Sequence, residues 1–251
     1  MKLGEALTAA PSDPSAAGPE LRLFCLPYAG GAAGVFSGWQ SRLPATIDVC
    51  PIELPGRGGR FVEPLPGDLD LLVEDVLGRV EPRLDLPYAV FGHSFGSAVA
   101  YELTRHLVAE GAPPVRLLVS AFRAPSLPPP GHRYSDLPDA EFRRFLGELG
   151  GTPQVLLDDE EFMELLLPVV KHDFRLAEHY GGLDDGPLPI PVTAFGSATD
   201  QRFGLSEVRA WAAHTGSFTF HEVPGDHFFL NTHRELLLDL LARELTSSIG
   251  V

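Results

Sequence analysis

Apolar residues recur along this chain in two rhythms. Compact apolar runs at 21–26, 47–52, 88–91, 115–120, 190–195 and 217–223 read as strands, and spaced apolar positions between them read as helices. Leu69, Leu72, Val73, Val76, Leu77, Val80 and Leu84 fall on one helical face. Phe36, Trp39, Gln40 and Leu43 share helical spacing, and further helices are expected over 95–110, 206–213 and 232–245. Tyr88-Ala-Val-Phe91 is apolar at every position, the signature of a strand covered on both faces. Strand and helix alternate, which predicts an open parallel sheet with helices on both sides.

The alternation breaks between 123 and 185, where no strand is evident. A Pro-rich stretch at 126–131 precedes two expected helices, 138–149 and 159–180, separated by the breaker Gly150-Gly-Thr-Pro153. Connections inside compact domains run to a few residues, so an insertion of this size has work of its own. We expect a tail at 1–20, a core built from 21–122 and 186–251, and a helical lid at 123–185. Phe145, Leu149, Phe162 and Leu166 are the candidates for lining a chamber beneath that lid; plain helix packing is the competing account of the same residues.

Composition narrows the function classes. A net charge of −15 leaves nothing to neutralise a row of phosphates, so nucleic acid is excluded as a partner. No apolar run approaches the roughly 20 residues that span a bilayer, and no signal-peptide core precedes residue 20. Cys25 and Cys50 sit in strand-like runs and read as buried free thiols, which favours the cytoplasm.

One motif interrupts the pattern. Gly92-His-Ser-Phe-Gly96 stands where the strand at 88–91 gives way to helix-forming residues. A serine between two glycines at that junction is the nucleophile elbow, a tight turn that lifts the hydroxyl off the sheet. A serine hydroxyl needs a base, and the base needs an orienting acid, in the chain order Ser, Asp, His for this architecture. His227, in the loop between the last expected strand and helix, is the best-placed histidine. Asp200 follows the strand at 190–195, at the carboxyl end where such sheets build sites. Asp226 is too close to His227 in the chain to reach its ring, and Asp184 and Asp185 precede the strand. Ser94, Asp200 and His227 are therefore the expected triad, with the N–H groups of Phe95 and Ala29 as oxyanion donors. Histidines 93, 106, 172, 179 and 233 read as structural or surface groups. Neither a metal nor an organic cofactor is called for.

The chain also resembles a family. Leu26-Pro-Tyr-Ala-Gly-Gly31, Leu54-Pro-Gly-Arg-Gly58 with Arg60 and Glu63-Pro64, the elbow, Gly150-Gly-Thr-Pro153 and Pro224-Gly-Asp-His-Phe-Phe-Leu230 are similar to motifs of type II thioesterases. Those enzymes accompany modular polyketide and nonribosomal peptide synthases. The resemblance implies an α/β-hydrolase fold, a serine acyl-enzyme, and acyl or peptidyl carrier proteins bearing phosphopantetheine as partners. It matches Ser94, Asp200 and His227 to the family's triad, while Ser197 and Gln201 depart from the family's acid loop. Carrier proteins are acidic, so attraction to this acidic chain would be local. Arg57 and Arg60 are the docking candidates, with internal ion pairs to Glu53 or Glu63 as the equal alternative. A small-molecule carboxylesterase or acyltransferase, a product-releasing thioesterase and a non-catalytic binding protein are the other readings.

Overall fold

Six strands pair side by side, all parallel, in the order β2-β1-β3-β4-β5-β6. They are β1 (Leu21–Leu26), β2 (Ile47–Pro51), β3 (Tyr88–His93), β4 (Arg116–Ser120), β5 (Val192–Gly196) and β6 (Phe218–Glu222). The structure, a computed structural model, describes residues 18–183 and 186–248. The expected tail up to residue 17, and Asp184 and Asp185, lie outside the described residues.

Alternation within the central strands sends side chains into two cores. Phe24 and Leu26 of β1 join α1 (Leu69–Val80) and α2 (Phe95–Ala109) on one face. Leu21, Leu23 and Cys25 point the other way, against α8 (Arg234–Ser248) and the ring pair Phe36 and Trp39. Because both faces are covered, β3 is buried along its whole length, which is why its sequence shows no polar alternation. Asp68 caps α1 by accepting the Leu71 N–H at 2.9 Å, supplying one of the partners that the first turn lacks.

Three helices fill the stretch between β4 and β5: α3 (Asp139–Leu149), a single turn α4 (Gln154–Leu157), and α5 (Glu160–His179). They hold their own small core of Phe142, Leu146, Leu157, Met163, Val170 and Phe174. Elsewhere the elements are more broken than periodicity implied. The spacing of Phe36, Trp39 and Leu43 belongs to a 3₁₀ turn (Ala33–Phe36) followed by irregular turns, since Gly38 at φ 82° cuts short any longer helix. The helix expected at 206–213 is α6 (Leu205–Arg209) running into a 3₁₀ turn, and α7 (Phe229–Thr232) precedes α8.

The strand order positions the site. From β1 the chain moves outward to β2 and returns to the opposite side of β1 as β3. The loops leaving β1 and β3 therefore diverge at their carboxyl ends and open a crevice, the place where open α/β sheets bind ligands.

Candidate active site

Ser94 is the single residue between β3 and α2, at φ 53° and ψ −123°. A non-glycine residue at positive φ is uncommon and is sustained only by its surroundings. The flanking glycines permit the turn. A Cβ on Gly92 would lie 2.1 Å from the Gly96 carbonyl oxygen, and one on Gly96 would lie 2.2 Å from that of Leu26. Backbone packs against backbone there, so no side chain can yield.

His227 reaches the elbow from the loop between β6 and α7, and its Nε2 lies 2.9 Å from Ser94 Oγ. Its Nδ1 is 2.9 Å from Asp200 Oδ2. The second Asp200 oxygen accepts the N–H groups of Arg202 at 2.7 Å and Phe203 at 3.3 Å. Burial by itself would raise the Asp200 pKa, but the His227 hydrogen bond and charge, with the two backbone donors, outweigh it and hold the carboxyl below its usual range. An ionised carboxylate on Nδ1 keeps that nitrogen protonated and leaves Nε2 free to take the serine proton. The three residues picked from the chain thus meet in hydrogen-bonding geometry. Asp226 instead accepts the Phe228 N–H at 2.9 Å within its own turn. Ser197, a departure from the family pattern, ties the acid loop to the histidine loop: its hydroxyl donates to the Gly225 carbonyl, as does that of Thr199 at 2.6 Å.

His93 lies beneath the triad with Nδ1 2.8 Å from Ser120 Oγ and Nε2 2.9 Å from the His227 carbonyl. Complete burial, aided by the charge of His227, pushes its pKa from 6.5 down to about 3. Between those values the unfolded chain binds a proton that the folded protein refuses, so stability falls as pH drops below about 6.5. The slope from this one group is about 1.4 kcal/mol per pH unit. Urea unfolding at pH 7.5 and pH 5 should show roughly 2 kcal/mol less stability at the lower pH. His93→Asn should remove most of that difference; an unchanged slope would show that another group carries it.

The crevice is roofed by the helices between β4 and β5. A cavity of about 200 Å³ runs from Ser94 and His227 to the apolar side chains of Leu146, Leu149, Phe162 and Leu166. Leu149, Phe162 and Leu166, three of the chamber candidates, line it. Phe145 is not: its ring stacks on Tyr134 at 3.9 Å, and the Arg202 guanidinium lies over both rings. The face of α3 that meets the cavity is thus also used to dock the acid loop, and the i, i+4 pattern could not tell which of its residues meets Arg202 and which the cavity.

Arg57 and Arg60 also require correction. Both are more than nine-tenths buried. The Arg60 guanidinium binds Glu63 and Asp75 as well as the Glu53 carbonyl at 2.9 Å. Arg57 pairs with Asp173 of α5. Their guanidinium groups are turned inward onto carboxylates and backbone carbonyls, so neither offers a cation to an acidic partner. Asp173 is wholly buried, and no local signal in the sequence marked it. Burial pushes its pKa up, but Arg57, His172 and the Gly30 N–H more than reverse that and keep it ionised.

The loop after β1 completes the crevice. Ala29 lines the cavity beside Ser94. Among the described residues no hydrogen bond occupies the N–H of Ala29 or of Phe95, the first residue of α2. Two unclaimed donors on the loops that flank the nucleophile suit an oxyanion.

A serine held at a strained elbow, facing an imidazole locked by a carboxylate on an open parallel sheet, defines a serine hydrolase of the α/β class. The Thioesterase domain family profile matches residues 21–245, and the chain belongs to that family; it is a serine-dependent hydrolase of thioesters. RedJ, a thioesterase from the prodiginine pathway of Streptomyces coelicolor, is 39% identical and superposes with a TM-score of 0.85 over 97% of this chain and 96% of its own. BorB, the type II thioesterase of the borrelidin biosynthetic cluster, is 35% identical with a TM-score of 0.82, covering 90% and 92%. The protein of Brevibacillus parabrevis named linear gramicidin dehydrogenase LgrE is 41% identical over 91% of this chain and 89% of its own length. In the present chain the loop Tyr28-Ala-Gly-Gly-Ala-Ala-Gly34 lacks the G-x-G-x-x-G spacing of a dinucleotide site. No helix among the described residues is long and apolar enough to cross a membrane.

Proposed function

We propose that this thioesterase removes short acyl groups from the phosphopantetheine arm of acyl or peptidyl carrier proteins, clearing stalled or misprimed chains in a polyketide or nonribosomal peptide pathway. Ser94 attacks the thioester carbonyl while His227 takes its proton, and the N–H groups of Ala29 and Phe95 hold the resulting oxyanion. Collapse expels the arm's sulfur, which receives the proton from His227, and leaves the acyl group on Ser94. A water molecule activated by His227 then releases the acid. Asp200 orients the ring and offsets its charge throughout. The two buried free thiols, Cys25 and Cys50, suit the reducing cytoplasm where such synthases work.

The cavity carries this reading. It is mostly apolar, lies beneath α3 to α5 and reaches the nucleophile, which fits an acyl chain delivered on a thin arm. At about 200 Å³ it is smaller than the pockets that take drug-sized ligands, so short chains should be favoured. Turnover of acetyl, propionyl and decanoyl groups on a carrier protein, against the same groups on coenzyme A, tests both parts. The expected result is a kcat/KM at least tenfold higher on the carrier, with the short chains ahead. Equal rates on carrier and coenzyme A would make the free thioester the substrate.

A further inference from the structure

The buried carboxylate of Asp173 lies far from the triad in sequence, yet it touches the oxyanion loop directly. One oxygen accepts the Gly30 N–H at 2.8 Å and also pairs with Arg57. The other accepts from Arg57 Nη2 at 3.0 Å and lies 3.3 Å from His172 Nδ1. One turn earlier on the same face of α5, Val170 fills the space where a Gly30 side chain would stand, 2.4 Å from the Cβ position. The loop is thus pressed against α5 at one point, by packing on the Gly30 Cα and by a charge-assisted hydrogen bond on its N–H.

We propose that Asp173 is a positioning residue for the reaction: from the roof it holds the loop that presents the Ala29 N–H to the developing oxyanion. This rests on the Ser94-centred mechanism proposed above. The link is covalent and short. Gly30 follows Ala29, so holding their shared planar peptide places the Ala29 Cα from which the preceding peptide presents the Ala29 N–H, and it sets the Ala29 carbonyl opposite the Gly30 N–H. If that peptide turned over, the Ala29 carbonyl would face the Asp173 carboxylate, oxygen against oxygen. The Gly31 N–H donates to the Tyr28 carbonyl at 2.8 Å and closes the turn, but that bond survives a flip of the central peptide. Glycine at φ +74° offers little resistance of its own, so the orientation of this peptide is set from outside the loop. Arg57, whose Nη1 also lies 3.5 Å from the Gly31 carbonyl, keeps Asp173 ionised and aimed. Seating of the roof helix and readiness of the oxyanion site then become one event, and the site is fully formed only when α5 is down over it.

Two paired substitutions separate this role from mere stability. Arg57→Leu with Asp173→Asn removes the ion pair but leaves an oxygen for the Gly30 N–H. Arg57→Leu with Asp173→Leu removes both while filling the space with apolar groups, a replacement that buried ion pairs often tolerate without loss of stability. The first pair should keep kcat within about threefold of the wild type. The second should lose kcat by about 10- to 100-fold, with KM nearly unchanged. Its affinity for a trifluoromethyl ketone analogue, which becomes an oxyanion on Ser94, should fall by the same factor. If the leucine pair fails to fold, Asp173→Glu keeps the charge for Arg57 but displaces the oxygen from Gly30, and the same kcat and inhibitor losses are expected. Equal kcat in the two pairs, or a loss confined to KM, would overturn the role of Asp173. Fluorophosphonate labelling of the wild type keeps the two readings apart: absence of labelling at Ser94 sinks the underlying mechanism, whereas labelling with equal kcat in both pairs sinks only the positioning role.

Discussion

Ser94→Ala should lower thioester turnover by about 10⁴- to 10⁶-fold while leaving the fold in place. The hydroxyl makes its hydrogen bond to His227 and is not the side-chain cap of α2, so removing it takes little from the native structure. The nucleophile is irreplaceable because, among the described residues, Ser94 carries the hydroxyl that is hydrogen-bonded to His227 Nε2. His227→Ala should cost nearly as much. Asp200→Asn should cost about 10⁴-fold, because an amide at that position no longer enforces a proton on Nδ1 and the wrong nitrogen then faces the serine. The Asp200→Asn loss should appear in kcat with KM little altered, since Asp200 meets His227 and the backbone rather than the cavity. Single-turnover assays on an acyl carrier substrate, with circular dichroism to verify folding, measure all three. Retention of more than a hundredth of wild-type activity by Ser94→Ala would remove it from the mechanism.

Gly96→Ala should be among the most destabilising single-methyl additions in the molecule. The new Cβ would stand 2.2 Å from the Leu26 carbonyl oxygen and 2.6 Å from that of Pro27. Relief requires α2 to move off the end of β1, which would shift both the elbow and the loop that bears Ala29. Overpacking of a close-packed interior costs about 1–3 kcal/mol where side chains can yield, and more where backbone must move. At a few degrees per kcal/mol for a chain of this size, the melting temperature should fall by roughly 10 °C or the protein should not accumulate. Gly78→Ala supplies the opposite sign: that glycine lies inside α1, a Cβ there meets nothing within 4 Å, and the change should stabilise by about 0.5–1 kcal/mol. If the two variants melt together, the close approach of α2 to the β1 loop is wrong.

The contrast between these glycines shows where local pattern suffices. Gly92-His-Ser-Phe-Gly96 announced its conformation because the covalent geometry of a strand–turn–helix junction leaves few residue types that fit. The parallel sheet was equally legible, since a strand such as β3, buried on both faces, must be apolar throughout. His227 and Asp200 followed from chain order and from their addresses at the carboxyl ends of strands, which the topology rule ties to the site. Helix lengths near Phe36 and Leu205 were read less well, because packing on the sheet retains apolar spacing even where a residue such as Gly38 breaks the helix.

What a guanidinium or a ring faces is another matter. Arg57 and Asp173 are 116 positions apart, and in the chain Arg57 reads as a docking candidate on a turn-rich loop. Only when α5 folds back over the β1 loop do the two charges meet, their attraction and hydrogen bonds offsetting the cost of desolvation, and turn Arg57 away from solvent. Phe145 and Leu149 are neighbours on α3 at helical spacing, yet one packs on Arg202 and the other on the cavity. The period of a helix says that a face is buried; which partner buries it depends on how the helix is set against the sheet. The sequence therefore determined the sheet, the elbow and the three residues that meet there. The tertiary structure decided the inward turn of Arg57 and Arg60 and the hold of Asp173 on Gly30, because these depend on the burial of charges brought together from distant parts of the chain.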